Sequence, residues 1–335
     1  MKHYMRSRIR RYAMKELYIG VDVGSVSTNV VAVDNNYNVL SKQYIRTNGQ
    51  PLESVKQGLR NLREEFKNDG RVLGVGATGS GRQLTGIVVG ADVVKNEITA
   101  HATATITYFP EARTIFEIGG QDSKIIILKD GMVVDFAMNT VCAAGTGSFL
   151  EHQAERLKVR IEEFGDLALS AEKNVRIAGR CTVFAESDMI AKQQYGFSKA
   201  DIINGLCEAL VRNYINNLGR GKKFEAPFVF QGGVAANKGI KAAFERVVGH
   251  EVVIPEHYNV MGAIGSAILA KEHLEGTGIA TRFRGFEASD FDFTPSSFEC
   301  SGCDNSCEVI KVELNKKIVA MWGDRCGKWT NSVVS

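Results

Sequence analysis

A plan that occurs twice in one chain constrains the fold more than any bulk property does. Segment 17–46, LYIGVDVGSVSTNVVAVDNNYNVLSKQYIR, reads as strand, glycine-containing turn, strand, Asp-Asn turn, strand, because apolar and β-branched runs alternate with turn chemistry. Segment 113–138, RTIFEIGGQDSKIIILKDGMVVDFAM, repeats that plan. In both, an acid stands beside glycine at the first turn: Asp22 with Gly24, and Asp122 after Gly119 and Gly120. A duplicated unit of this kind predicts an α/β chain of two similar lobes that face each other. With 335 residues, 44% of them hydrophobic, the chain is long enough for both lobes to bury a core.

The rest of the chain is placed around the two repeats. PLESVKQGLRNLREEF puts Val55, Leu59, Leu62 and Phe66 at helical spacing, with Pro51 suited to the first turn. A long helix over 199–218 turns Ile203, Cys207, Leu210 and Tyr214 to one apolar face, so Cys207 reads as a core residue. Around 276–299 the periodicity is lost. The chain therefore divides into a basic leader (1–15), a first lobe (16–112), a second lobe (113–275), a linker (276–299) and a four-cysteine module (300–335).

A net charge of +3 gives no case for nucleic acid or a membrane surface, because basic and acidic residues are interspersed. The exception, MKHYMRSRIRRY at the start, lacks the apolar centre of a secretory signal. No apolar run approaches the ~18 residues of a membrane span. The expectation is a cytoplasmic protein whose thiols stay reduced and serve metal, catalysis or packing.

The glycine turns suit phosphate chemistry: an Asp-x-Gly turn alone is common, and two facing loops carry more weight than one. In GVDVGSVSTN a buried strand delivers Asp22 to a turn in which Gly24, Ser25 and Val26 let backbone N–H groups approach an anion. The carboxylate would hold Mg²⁺ through water, which that ion releases reluctantly. EIGGQDSK repeats the geometry with Gly119 and Gly120, and adds Gln121 and Asp122 to orient an attacking water. VFQGGVAANKGI, with Gly232, Gly233 and Asn237, and NVMGAIGSAILA, with Gly262, open helices where a nucleoside can lie against the backbone; tight helix packing is the alternative for those glycines. In KNEITAHA, Glu97 and His101 lie four apart, as a metal pair or as an interlobe hydrogen-bonding pair. GATGSGR suits an interlobe contact in which Arg82 reaches phosphate or a partner.

Cys142 and Cys181 each stand just before an expected helix start, where helix dipole and free N–H groups stabilise a thiolate. A four-iron cluster needs four thiolates, and a twofold dimer doubles these two. Buried structural thiols are the competing reading. In ECSGCDNSCEVIKVELNKKIVAMWGDRCG, a hairpin of strands 308–314 and 317–322 would return Cys326 beside Cys300, Cys303 and Cys307. Tetrahedral zinc, a second iron–sulfur centre or free thiols fit that set.

The ordered motifs GVDVGS, GATGSGR, NEITAHATA, TIFEIGGQDSK, NTVCAAGTGSFLE, GRCTVFAESD, FQGGVAANKG and MGAIGSA, across residues 16–272, resemble the BadF/BadG/BcrA/BcrD ATPase family. The resemblance implies two ribonuclease-H-like lobes of the acetate and sugar kinase/heat-shock chaperone/actin superfamily, with ATP in the cleft. It implies a homodimer holding a four-iron four-sulfur cluster between subunits on Cys142 and Cys181. It also implies one-electron transfer from ferredoxin or flavodoxin to an iron–sulfur acceptor, either a 2-hydroxyacyl-CoA dehydratase or a double-cubane-cluster protein. Asn29 stands where such activators usually carry lysine, which removes a positive charge near the phosphates. The tail resembles the extension of the larger members. A sugar or acyl kinase of the same fold would leave the paired cysteines without a role, and a nucleotide-switched binding protein would use ATP for shape change alone.

Overall fold

The computed structural model describes residues 14–139, 142–179 and 181–332; the leader expected at 1–15 lies almost wholly outside them. The first lobe is built from β1 (Lys15–Val23), β2 (Ser27–Val33), β3 (Val39–Arg46), α1 (Pro51–Phe66), β4 (Gly70–Thr78), α2 (Arg82–Val89) and β5 (Val93–Val94). Helix α3 (Glu97–Tyr108) then leads to the second lobe. That lobe contains β6 (Thr114–Ile118), β7 (Ser123–Lys129), β8 (Met132–Asn139), α4 (Gly147–Leu157), α5 (Ile161–Leu169), α6 (Thr182–Gln194), α7 (Lys199–Leu218), β9 (Phe228–Gln231), α8 (Lys238–Val248) and β10 (Val252–Val253). After it come α9 (Met261–Thr277) and the strands β11 (Phe293–Glu299), β12 (Glu308–Leu314) and β13 (Lys317–Trp322).

The duplication extends to whole sheets. One sheet runs β3-β2-β1-β4-β5 and the other β8-β7-β6-β9-β10, each with three antiparallel strands continued by parallel neighbours. Central strands are buried on both faces: Leu17, Ile19, Val21 and Val23 line one face of β1 and Tyr18 the other, and Ile115, Phe116 and Ile118 of β6 are buried likewise. Helix α1 buries Val55, Leu59, Leu62 and Phe66, the expected face. Burial of each contributes roughly 1.5–3 kcal/mol.

Two elements join the lobes. Helix α3 packs Ile98 and Ala102 with Ile115, Ile126 and Val229 of the second sheet, while its Ala104 packs with Val31 and Ile264. Helix α9, though it follows the second lobe in sequence, returns to cover β1 and β4 of the first. Glycine makes that approach possible: a Cβ at Gly20 would stand 1.8 Å from the Ala263 carbonyl oxygen, and one at Gly76 1.9 Å from that of Ser266. The division by sequence at 112/113 therefore misassigns α9, because periodicity does not reveal which sheet a helix covers.

The stretch 276–299 is not a free linker. Ala288 and Phe293 are buried in the core of the first lobe together with Val312 of β12, and Phe283, Phe286 and Phe291 pack beside them. Asp92 fastens this stretch, accepting from Val75 N, Thr281 Oγ1 and Arg282 N at 2.7–2.8 Å. Strands β12 and β13 span the expected residues and turn at Asn315 and Lys316, both with positive φ (51° and 64°), the conformation of a two-residue hairpin turn. Strand β11 adds a third, edge strand. Its Pro295 disguises it in sequence, yet proline is tolerated at an edge. Among the described residues, no helix is long and apolar enough to cross a membrane.

Candidate functional site

The cleft between the lobes is assembled from strand ends. The first turn, after β1, delivers Asp22, Gly24, Ser25 and Val26; the matching turn after β6 delivers Gly119, Gly120, Gln121 and Asp122. Gly232 and Gly233 follow β9, and Gly262 opens α9. These expected residues line one cleft. Asn237 lines the pocket that continues it past Gly120 and Gly233, and its side chain caps α8 by accepting from Ile240 N at 3.1 Å. Gly262 leaves the space that Asp22 occupies, since a Cβ there would lie 2.3 Å from Asp22 Oδ2 and displace that carboxylate. Arg82 folds back on its own loop, donating to the Gly79 carbonyl at 3.0 Å.

A buried charge cluster dominates the floor. Lys124, 2% exposed, places its ammonium 2.7 Å from Glu97, 3.1 Å from Glu117 and 2.7 Å from Asp122. Burial opposes its charge, but the carboxylates of Glu117, Asp122 and Glu97 outweigh that and hold its pKa well above the ordinary lysine value. Burial pushes Glu117 up to about 8 against the pull of Lys124. Burial, with the charge of Glu97, pushes Asp22 up to about 7. His101 is driven down to about 3 by burial and by Lys124, so its imidazole is neutral. Its Nδ1 lies 2.9 Å from Gln231 Nε2, while Gln231 Oε1 accepts from Thr105. Gln231 thus donates to Nδ1, which leaves the proton on Nε2. Of the two sequence readings of Glu97 and His101, the hydrogen-bonding one describes these contacts, since Lys124 and Gln231 both belong to the second lobe.

Lysine 124 and Glu117 were not assigned by sequence, although a lysine opening the apolar run KIIIL of β7 is a signal. The site has room for a hydrated cation: Asn29, the register partner of Asp22, keeps a buried Oδ1 without a hydrogen-bond partner, and so does Thr78 Oγ1. Asp22 beside these acceptors, with Glu97 and Asp122 near, suits Mg²⁺ held through its water shell.

The cysteines divide by environment. Cys181 stands directly before α6, at its N-cap position but without a side-chain capping bond, whereas Cys142 precedes a 3₁₀ turn (Ala143–Gly145) and α4 starts only after Thr146. Asn139 clasps Cys142, accepting from its N–H at 2.9 Å and donating to its carbonyl at 2.7 Å. Both thiols are partly exposed, and beside Cys181 the side chains of Val183 and Phe184 are each 65% exposed. Cys207 is fully buried in the second lobe's core, and burial pushes its thiol up to about 12. The tail thiols sit at one end of the three-stranded sheet, where Cys300 N–H donates to the Cys307 carbonyl at 2.8 Å. Cys300 Sγ accepts from Trp329 Nε1 (3.3 Å) and Gly302 N (3.4 Å), and Cys326 Sγ faces Asp324. Among the described residues, no three His, Cys, Asp or Glu side chains come together as a metal-binding set, so as placed the tail thiols do not form the tetrahedral set that zinc requires.

Comparison with known proteins bears on this arrangement. Residues 19–270 match the profile of the BadF/BadG/BcrA/BcrD ATPase family. The (R)-2-hydroxyglutaryl-CoA dehydratase activating ATPase of Acidaminococcus fermentans is 34% identical over 260 residues, covering 75% of this chain and 96% of that protein. The activator of lactoyl-CoA dehydratase of Anaerotignum propionicum is 34% identical over 257 residues, 76% of this chain and 97% of its own length. Among solved structures, component A of the A. fermentans dehydratase superimposes with a TM-score of 0.68 (32% identity, 77% of this chain, 98% of that chain). The Clostridium difficile activator of 2-hydroxyisocaproyl-CoA dehydratase, with bound ADPNP, gives 0.66 (31% identity, 78% and 97%). The fold is the two-lobed α/β fold of these activators.

Proposed function

Because this chain belongs to the BadF/BadG/BcrA/BcrD ATPase family, we propose that it is an ATP-driven activator that delivers single electrons to an iron–sulfur partner, a 2-hydroxyacyl-CoA dehydratase or a double-cubane-cluster protein. In this reading the phosphates of ATP lie against the amides of Gly24, Ser25 and Val26 on one side and Gly119 and Gly120 on the other. Gly232, Gly233 and Asn237 border the nucleoside. Asp22 holds Mg²⁺ through water, and Gln121 and Asp122 orient the water that attacks the terminal phosphorus, giving ADP and phosphate. Lys124 binds acids of both lobes, so a nucleotide whose phosphates compete with those acids for its ammonium favours one lobe arrangement over the other.

The observation that carries the electron-transfer part is the pair of partly exposed thiols, Cys142 and Cys181, on the lobe that also holds the second phosphate loop. Two copies related by a twofold axis supply four such thiols. When bound there, a four-iron four-sulfur cluster supplies a store for one electron at a time, filled by ferredoxin or flavodoxin. The exposed apolar residues Val183 and Phe184 suit the surface on which the copies meet. No step is routed through the tail thiols.

The test is iron per protomer and sedimentation mass, measured anaerobically. Cys142→Ser and Cys181→Ser should each lose the iron and weaken the dimer while still binding nucleotide. Cys207→Ser should keep its iron. Iron retained in Cys142→Ser but lost in Cys207→Ser overturns the shared-cluster reading.

A further inference from the structure

The second phosphate loop is hydrogen-bonded to the start of α4. The carbonyls of Gly119 and Gly120 accept from the amides of Gly147 and Ser148 at 2.9 and 2.8 Å, and Ser148 Oγ adds a second bond to Gly120 O at 2.6 Å. These are first-turn amides, which a helix leaves unpaired, so α4 begins on the loop itself. There is no slack: a Cβ at Gly120 would lie 2.7 Å from Val26 Cγ2 of the opposite loop, and one at Gly147 would lie 3.0 Å from Gly119 O. Just ahead of α4, Thr146 bonds through both N–H and hydroxyl to Ala143 O, holding the turn that Cys142 opens.

Helix α4 is in turn clasped to α6. Glu186 of α6 meets Arg156 Nη2 at 2.7 Å and faces His152 Nε2 at 3.6 Å, both on α4. Helix α6 buries only Ala185 and Met189, so packing fixes its lateral position weakly and this clasp has leverage over where Cys181 stands. Its charges are partly exposed, so its contribution to stability is small. A contribution to geometry is what remains.

Resting on the reading that Cys142 and Cys181 are the working thiols, we propose that Ser148 and Glu186 are positioning residues that link the nucleotide to the cysteine pair. Ser148 passes a displacement of Gly120 to α4 and the Cys142 turn, and Glu186 carries it from α4 to Cys181 at the head of α6. The two-state element is the α4–α6 pair, whose arrangement both the phosphate loop and the thiols bias.

The full chain, freed of metal and kept anaerobic, tests this by the alkylation rate of each cysteine, read by peptide mass spectrometry with and without magnesium and a non-hydrolysable ATP analogue. In the wild-type chain, saturating analogue should change the rates at Cys142 and Cys181 by about fivefold or more, with Cys207 unreactive throughout. Ser148→Ala should shrink the response at both. Glu186→Gln should keep it at Cys142 and lose it at Cys181, with analogue affinity within about threefold of wild type. The charge swap Glu186→Arg with Arg156→Glu should restore the Cys181 response, which a merely damaged helix would not allow. A wild-type chain whose thiols ignore the analogue, or a Glu186→Gln chain that responds at Cys181 like wild type, overturns the proposal. Iron per protomer is measured separately: normal iron with unresponsive thiols sinks only this linkage, whereas responsive thiols that bind no iron sink only the cluster reading.

Discussion

The ammonium of Lys124 stands 2.7 Å from a carboxylate oxygen of Glu97, and this contact joins a strand of the second lobe to the helix that leaves the first. Lys124 also holds Glu117 and Asp122, so removing it strands three acids around one buried point. Lys124→Met should destabilise the protein by on the order of 3–5 kcal/mol. Urea unfolding checks this, and a loss below about 1 kcal/mol would show that the clasp is dispensable.

Asp22, held up at about 7, gives two pH effects of opposite sense. An unfolded aspartate ionises near pH 4, so between about pH 4 and 7 the folded chain alone retains this proton. The stability it contributes is full below about pH 4 and lost as pH rises through about 7. Asp22→Asn should therefore stabilise the nucleotide-free protein at pH 8, by roughly 1–3 kcal/mol, and by less at pH 5. Binding of Mg²⁺ with nucleotide needs the carboxylate and should tighten as pH rises through about 7. Calorimetric titration at pH 6 and pH 8 with equal affinity would remove Asp22 from the metal site.

Asp122 borders the cleft with one oxygen on Lys124. If it orients water, Asp122→Asn should lower kcat on the order of 10²-fold with little change in nucleotide affinity. A pure binding defect would assign it to the charge cluster alone.

The tail is a stability element of the first lobe. Deleting residues 279–335 removes Ala288, Phe293 and Val312 from that core, and burial of the two larger side chains stabilises by roughly 1.5–3 kcal/mol each. The truncated chain should unfold at clearly lower urea concentration. An unchanged midpoint would show that the tail is only tethered.

Much of this was legible in local pattern. The duplicated strand plan, the α1 and α7 faces, the β12–β13 hairpin and the cleft-lining glycines all rest on nearest-neighbour chemistry, which sequence spacing displays. What was hidden depends on distant partners. Helix α9 is apolar enough to cover either sheet, and only the bare backbones at Gly20 and Gly76 decide which. Phe283, Phe286, Phe291 and Phe293 have no helix or strand period, so their burial against the first lobe left no trace. Lys124 reads as a solvated strand end until three acids, from the start of α3, from β6 and from the turn after it, surround it.

The return of α9 to β1 and β4 also sets an order of events during synthesis. Helix α1 can cover the Leu17–Val23 face of β1 as soon as it is made, but the Tyr18–Gly20 face stays bare until residues 261–277 follow, and Val312 completes the same lobe later still. The second lobe, whose core lies between Phe116 and Val252, is finished first. One face of the first sheet must therefore wait for residues made after the second lobe, so the first lobe is completed against the order of translation and the half-made chain is the stage most open to aggregation.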